Sequence, residues 1–170
     1  MAFASTPALA AAVSGKGGFG LLGAGMWRRH FHLFFACAHS ALAGFDSSEK
    51  LRSDLQTIRK SLKLSDDAVL PAGVGLLGWI LDMTEASEDP RIPAVLEEKV
   101  AAVWFAFGND LYKYIKAVRD FDAKREHKTK IFCCCNSVDE AIRAVNEWKV
   151  DILVLQGALT SGPVWRMAPD

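Results

Sequence analysis

Apolar and polar positions along this chain fall into blocks that switch between two periods. Short apolar runs at residues 19–22, 71–77, 100–107, 131–135 and 150–156 are too brief for buried helices. They read as strands of a parallel sheet covered on both faces. Between them the spacing turns helical, most clearly over 46–64. There Leu51, Leu55, Ile58 and Leu62 recur at i, i+4, i+7 and i+11, with Lys and Arg on the opposite side. Such a helix lays one stripe on a sheet, and the spacing of Asp46 and Glu49 predicts a capping box at its start. A second helix follows the third strand, capped by Asn109 or Asp110, with Leu111, Tyr114, Ile115, Val118 and Phe121 on its inner face. A third opens on the capping box of Ser137 and Glu140, and Val138, Ala141, Ile142, Val145 and Trp148 form its expected buried stripe. Residues 80–86 read as a short helix or loop and 93–99 as a short helix.

Glycine punctuates the first unit. Over residues 7–25, Ser5 or Thr6 can cap a helix that begins at Pro7, where a missing N–H costs nothing. The small residues 8–13 let that helix lie close on a sheet. Gly15, Gly17 and Gly18 end it, supplying positive-φ positions. Gly23, Ala24 and Gly25 then strip side chains from the carboxyl end of the first strand, where α/β proteins hold ligands. Gly75 does the same in the second strand.

Strand–helix alternation in units of about 30 residues gives a parallel sheet with outer helices. Pattern alone permits a doubly wound sheet or a TIM barrel equally. Residues 26–44 do not fit the repeat. Their aromatic residues show no separation into faces, and removing them joins one strand directly to the next helix. We therefore expect 26–44 to be an aberrant insertion, a translated intron or gene-model error.

Composition narrows the picture little. Half the 170 residues are apolar, as a single domain with a real core requires. Lys+Arg 20 balances Asp+Glu 20, which leaves no footprint for nucleic acid or an anionic membrane. No run reaches the roughly 20 apolar residues of a membrane span. A secretory signal is not expected, because no basic region precedes the alanine run. Cytoplasm is the expected compartment, with peroxisome and mitochondrion as alternatives. The adjacent Cys133, Cys134 and Cys135 suggest a reducing compartment and read as small hydrophobes on alternate strand faces. His30, His32, Cys37 and His39 lack a carboxylate or CxxC spacing, so no metal centre is expected.

The residues also carry a resemblance. PALAAAVSGKGGFG resembles the opening helix and strand of the nitronate monooxygenase (2-nitropropane dioxygenase) flavoenzymes. VWFAFGND is similar to that family's VWLAFGD, and KIFCCCNSVDEA to its KIFVQVNSVEEA, with three cysteines replacing Val-Gln-Val. The resemblance implies an α/β fold, an incomplete TIM (β/α)8 barrel of about five parallel strands with outer helices, forming one partial domain. The family's first strand and last two strands have no counterpart here. Such an unclosed sheet would be aggregation-prone.

The resemblance further implies FMN bound at the carboxyl ends of the strands. With dioxygen, it would oxidise an alkyl nitronate or nitroalkane to a carbonyl compound and nitrite. Gln156 matches a flavin-contacting glutamine, followed by Gly157, and Gly75 and Gly23 complete the expected cofactor set. Gly75 stands where many relatives carry an asparagine, and it cannot make that side-chain contact. The family's Gln-Gly-x-Glu-Ala-Gly-Gly-His-Gly run begins here as Gln156-Gly157 and then departs. Its catalytic histidine has no counterpart in 158–170, which reads as a divergent tail, and His127 is expected at the opposite end of the sheet. Family phosphate loops after strands seven and eight are also missing. Two alternatives stay open: a catalytically inactive fragment of this fold, or another flavin barrel such as an enoyl reductase. Oligomeric state is open.

Overall fold

A computed structural model describes residues 5–23 and 47–156 of the chain. The segment 26–44, Gly157 and the tail 158–170 lie outside the described residues, as do Ala24, Gly25 and Asp46. What is described is an α/β unit with a five-stranded, all-parallel sheet and six helices.

Helix α1 (Pro7–Gly15) is capped by Thr6, whose hydroxyl accepts from the Leu9 N–H at 3.2 Å. Ser5, the other candidate cap, instead donates to the Leu21 carbonyl and accepts from the Gly23 N–H at 3.3 Å. Of the three glycines that follow, Gly17 alone takes positive φ. Strand β1 (Gly20–Gly23) comes so near α1 that a Cβ on Gly20 would sit 2.1 Å from the Ala10 carbonyl oxygen. A side chain there is excluded.

Helix α2 (Ser48–Ser61) is capped by Ser47, which accepts from the Lys50 N–H at 3.1 Å. A cap one residue beyond Asp46 replaces the expected box. Its stripe is as the spacing predicts, with Leu51, Leu55 and Ile58 fully buried. Each such side chain contributes about 1.5–3 kcal/mol by leaving water. Strand β2 (Leu70–Leu77) leads into α3 (Gly78–Thr84), and α4 (Arg91–Glu97) into β3 (Val100–Ala106). Helix α5 (Tyr112–Asp122) starts from Leu111 with no side-chain cap, so neither Asn109 nor Asp110 serves. The turn before it is shaped by backbone contact instead. Phe107 has φ 56, and a Cβ on Gly78 would meet the Cα of Gly108 at 2.7 Å. The Trp79 N–H donates to the Phe107 carbonyl at 3.1 Å, joining the turns after β2 and β3.

Strand β4 (Lys130–Cys135), α6 (Val138–Asn146) and β5 (Ile152–Leu155) complete the described fold. Ser137 caps α6 as expected, accepting from the Glu140 N–H at 3.2 Å. Glu140 returns its carboxylate to the Asn136 N–H at 2.9 Å, one residue outside the usual box. Helices α2, α4 and α6 are followed by Lys63, Lys99 and Lys149 at φ 55, 53 and 52. Lysine takes the left-handed position where glycine is usual.

Strand order is β1-β2-β3-β4-β5, each pair parallel. A doubly wound sheet reverses its order at a switch point, and this one has no reversal. Successive right-handed crossovers therefore lay the helices on one face. A single core joins Leu22, Val74, Val103, Phe105, Ile131 and Cys133 of the strands to the helix stripes. The strand positions between them face the other way.

The α6 stripe corrects the sequence expectation. Ala144 is its one buried residue, while Val138 is 74% exposed, Ile142 53% and Val145 50%. Helix α6 covers β4 and part of β5, and no further described helix flanks it. Its apolar face and Leu155 (70% exposed) therefore line an open groove.

Candidate functional site

The uncovered face of the sheet is built by strand alternation. Leu21 and Gly23 of β1, Gly73 and Gly75 of β2, Trp104 of β3 and Phe132 and Cys134 of β4 all point away from the helix-side core. In hydrogen-bonded register Gly23 lies opposite Gly75, Gly75 opposite Trp104, and Trp104 opposite Phe132. One transverse row thus runs glycine, glycine, tryptophan, phenylalanine.

The Phe19 ring, entering β1, stacks on Phe132 of β4 at 5.8 Å between centroids, although two strands lie between. It reaches across by lying over Gly73 of β2, where no side chain stands in the way. Trp104 joins the cluster at 6.4 Å from Phe132. Gly73 makes room for it, because a Cβ there would lie 2.7 Å from Leu21 Cδ2 and 2.9 Å from Phe19 Cε1. Gly75, one step nearer the carboxyl end, is different: the nearest atom to its added Cβ is the Leu22 oxygen at 3.8 Å. Phe19 lies over Gly73, while Trp104 and Phe132 share the row of Gly75, where an added Cβ would meet no clash.

Gly23 and Gly75 are therefore brought together, as neighbours in one row. Gln156 is not with them. It follows β5, where its N–H donates to the Cys135 carbonyl at 3.0 Å and its Oε1 accepts from Cys134 Sγ at 3.3 Å. That is a strand-end amide tied to the neighbouring strand. Gly157 lies outside the described residues.

Trp104 belongs to the buried strand run 100–107 and is not among the site residues that the sequence predicts. Its Nε1 is buried and has no hydrogen-bond partner. Alternation in VWFAF, which sets Trp104 opposite to Phe105, was the signal available. A buried donor without an acceptor costs about 1–3 kcal/mol.

Asp82 and Glu85, near this end of the sheet, are already engaged. Asp82 of α3 accepts from Lys113 Nζ and from the Tyr114 hydroxyl, each at 2.6 Å, and these bonds hold its carboxyl below the usual range. Burial, then Asp82, pushes the Tyr114 phenol up. Burial also pushes the Glu85 carboxyl up, and it accepts from the Arg91 and Ile92 N–H groups at 2.7 and 3.2 Å. His127 is at the other end, bonded through Nε2 to the Val100 carbonyl at 2.9 Å where β3 begins. Cys133 and Cys135 face the helices with their sulfurs 3.9 Å apart, and Cys134 faces the open side. Burial pushes all three thiols up, so none has thiolate character.

Among the described residues no group of three His, Cys, Asp or Glu could hold a metal, and no helix is long and apolar enough to cross a membrane. His30, His32, Cys37 and His39 lie outside them. The groove of about 550 Å³ between α6 and β5 includes Cys135, Ile142, Leu153 and Leu155, on the helix side of the sheet. It is core left uncovered, on the opposite face from Gly75.

The row fits a flavin in part: Gly23 and Gly75 bring no side chains to it, and an added Cβ at Gly75 would meet no clash, which suits a flat ring system. The turns after β2, β3 and β4 contribute no lysine or arginine before Lys113 for its phosphate. No protein-family model matches the chain, and no curated protein matches it.

Proposed function

We propose that this chain is a flavin-barrel protein of the nitronate monooxygenase type, with five strands of a TIM barrel described here. The observation that carries this reading is the singly wound parallel sheet that pairs Gly23 with Gly75 on the face away from the helices. The motif resemblance of residues 7–25, 103–110 and 130–141 supports it. FMN is the proposed cofactor, held over Gly23 and Gly75, with Gln156 reaching it from the end of β5; Gly157, the fourth residue of the expected set, lies outside the described residues. When bound, the flavin supplies the electron transfer, and dioxygen is the terminal oxidant. The chain's own residues do the rest: the glycines admit a flat ring, and Trp104 and Phe132, in the same row, flank it with apolar surface.

An alkyl nitronate, already ionised at carbon, is the proposed substrate, with a carbonyl compound and nitrite as products. A neutral nitroalkane would need a base, and His127 is held at the far end of the sheet by the Val100 carbonyl. That same placement favours a second reading, a flavin-binding fold without turnover. Cytoplasm is the proposed compartment.

Purified chain should be yellow after incubation with FMN and desalting, and should release nitrite from ethyl nitronate in air. Retained flavin without nitrite supports the second reading. A colourless product overturns both.

A further inference from the structure

We propose that the chain beyond Gln156 turns back and lies along the groove between α6 and β5, with Trp165 and Met167 as its anchors. The inference goes beyond the flavin reading and does not rest on it. Three observations converge. First, the groove presents apolar side chains from two elements: Ile142 and Val145 on its α6 wall and Leu155 on its β5 wall are exposed around about 550 Å³. Contiguous apolar surface of this kind marks an interaction site. Second, the strand beside it is an edge. Among the described residues β5 pairs with β4 alone. At the other end of the sheet the edge of β1 is partly closed by Ser5, whose hydroxyl donates to the Leu21 carbonyl and accepts from the Gly23 N–H. An open edge accepts a further strand. Third, the described chain stops beside this groove. Gln156 is itself part of the wall, and residues 157–165 carry no charge. The length fits as well. Helix α6 runs against the direction of β5, so the chain must reverse before it can enter, and Gly157, Gly162 and Pro163 suit that turn. Residues 164–167 then span about 13 Å if extended, which matches the nine residues of α6 at about 1.5 Å each. Alternation puts Trp165 and Met167 on one side of such a run and Arg166, the first charge, on the other. Val138, at the amino end of α6, is level with the turn and outside the contact.

Arg166 lies between the two anchors, so trypsin can cut the bond after it only when the segment is lifted from the groove. Brief digestion of the full chain, followed by intact mass, reads the loss of residues 167–170. Cleavage should be about tenfold slower than in a synthetic peptide of residues 157–170, a docking free energy of about 1.4 kcal/mol. Ile142→Asp should bring the rate close to that of the peptide, and Trp165→Ala should do the same against its own peptide. Far-ultraviolet circular dichroism of both should match the parent, because Ile142 is exposed and Trp165 lies beyond the described fold. Val145→Asp is the second variant of the helix wall, read in the same way if Ile142→Asp disturbs folding. Parent cleavage at the rate of the peptide, or a rate that the helix-wall variant does not move, overturns the inference. Protection that vanishes on dilution, as the mass in solution falls from dimer to monomer, assigns the groove to a second copy and also overturns it.

Discussion

Phe19 and Phe132 stack across the uncovered face of the sheet at 5.8 Å, at an interplanar angle of 16°. Residues 113 positions apart in sequence meet there only because Gly73 leaves the floor between them bare. Gly73→Ala should therefore cost about 1–3 kcal/mol, since the added methyl must push Leu21 and Phe19 aside. Chemical denaturation measures the loss, and a weakened near-ultraviolet circular dichroism signal would show that the aromatic stack had been disturbed. Unchanged stability would mean that Phe19 and Leu21 do not pack over Gly73.

Arg59 is a buried cation that holds three carbonyls, those of Ser65, Ala68 and Glu98, each at 2.7 Å. It binds the turn before β2 to the turn before β3. Arg59→Met keeps most of the apolar volume but strands those acceptors, and should lower unfolding free energy by roughly 3 kcal/mol. Denaturant titration decides it.

Acid should act through Asp151. Burial pushes its carboxyl up, but the Ile131 N–H at 2.9 Å, Lys130 at 3.0 Å and Arg119 at 2.9 Å together hold it below its ordinary value of 3.8. A carboxyl lower in the folded state contributes stability that is fully present above pH 3.8. That contribution is lost as pH falls through the depressed folded value. Asp151→Asn should be less stable by about 1–2 kcal/mol at neutral pH. Its melting temperature should fall less steeply than the parent's below pH 3.8.

The three strand cysteines should resist alkylation. Cys133, Cys134 and Cys135 are buried with thiols pushed up by that burial. Iodoacetamide at neutral pH should leave them unmodified in the native protein and label all three in urea, as mass spectrometry of the peptide can read. Rapid native labelling would show that β4 opens.

The two sides of the helical layer should respond oppositely to mutation. Val138→Glu on exposed α6 should change stability by less than about 0.5 kcal/mol and improve solubility, whereas Leu55→Ala on α2 should cost about 2–5 kcal/mol. Parallel thermal melts compare them. A large loss at Val138 would mean that the α6–β5 groove is covered at the amino end of α6 as well.

What the sequence made legible was the local alternation. Leu51, Leu55 and Ile58 sit in the core as their spacing requires, Ser137 caps its helix, and five strands form near the expected residues. What it hid depends on neighbours far away in the chain. The stripe of Val138, Ile142 and Val145 has sound helical spacing, but burial needs a partner surface and spacing cannot supply one. Asn109 and Asp110 look like caps, yet the backbone contact of Gly78 with Gly108 carries the chain past both. Within the candidate site, Gly23 and Gly75 could be found by composition. Alternation in VWFAF places Trp104 on the same face, but its buried, unpartnered N–H is a property of the packed structure that alternation does not show.

The Gly78–Gly108 contact also bears on how this chain can change. The Cα of each glycine lies under 3 Å from where the other's Cβ would be, 2.7 Å in one direction and 2.9 Å in the other. Neither position tolerates a side chain while its counterpart's turn stays in place. The two turns should consequently drift, if they drift at all, as a linked pair, and insertions after β2 should be matched by insertions after β3. Any loop remodelling toward a new ligand would have to rebuild both at once.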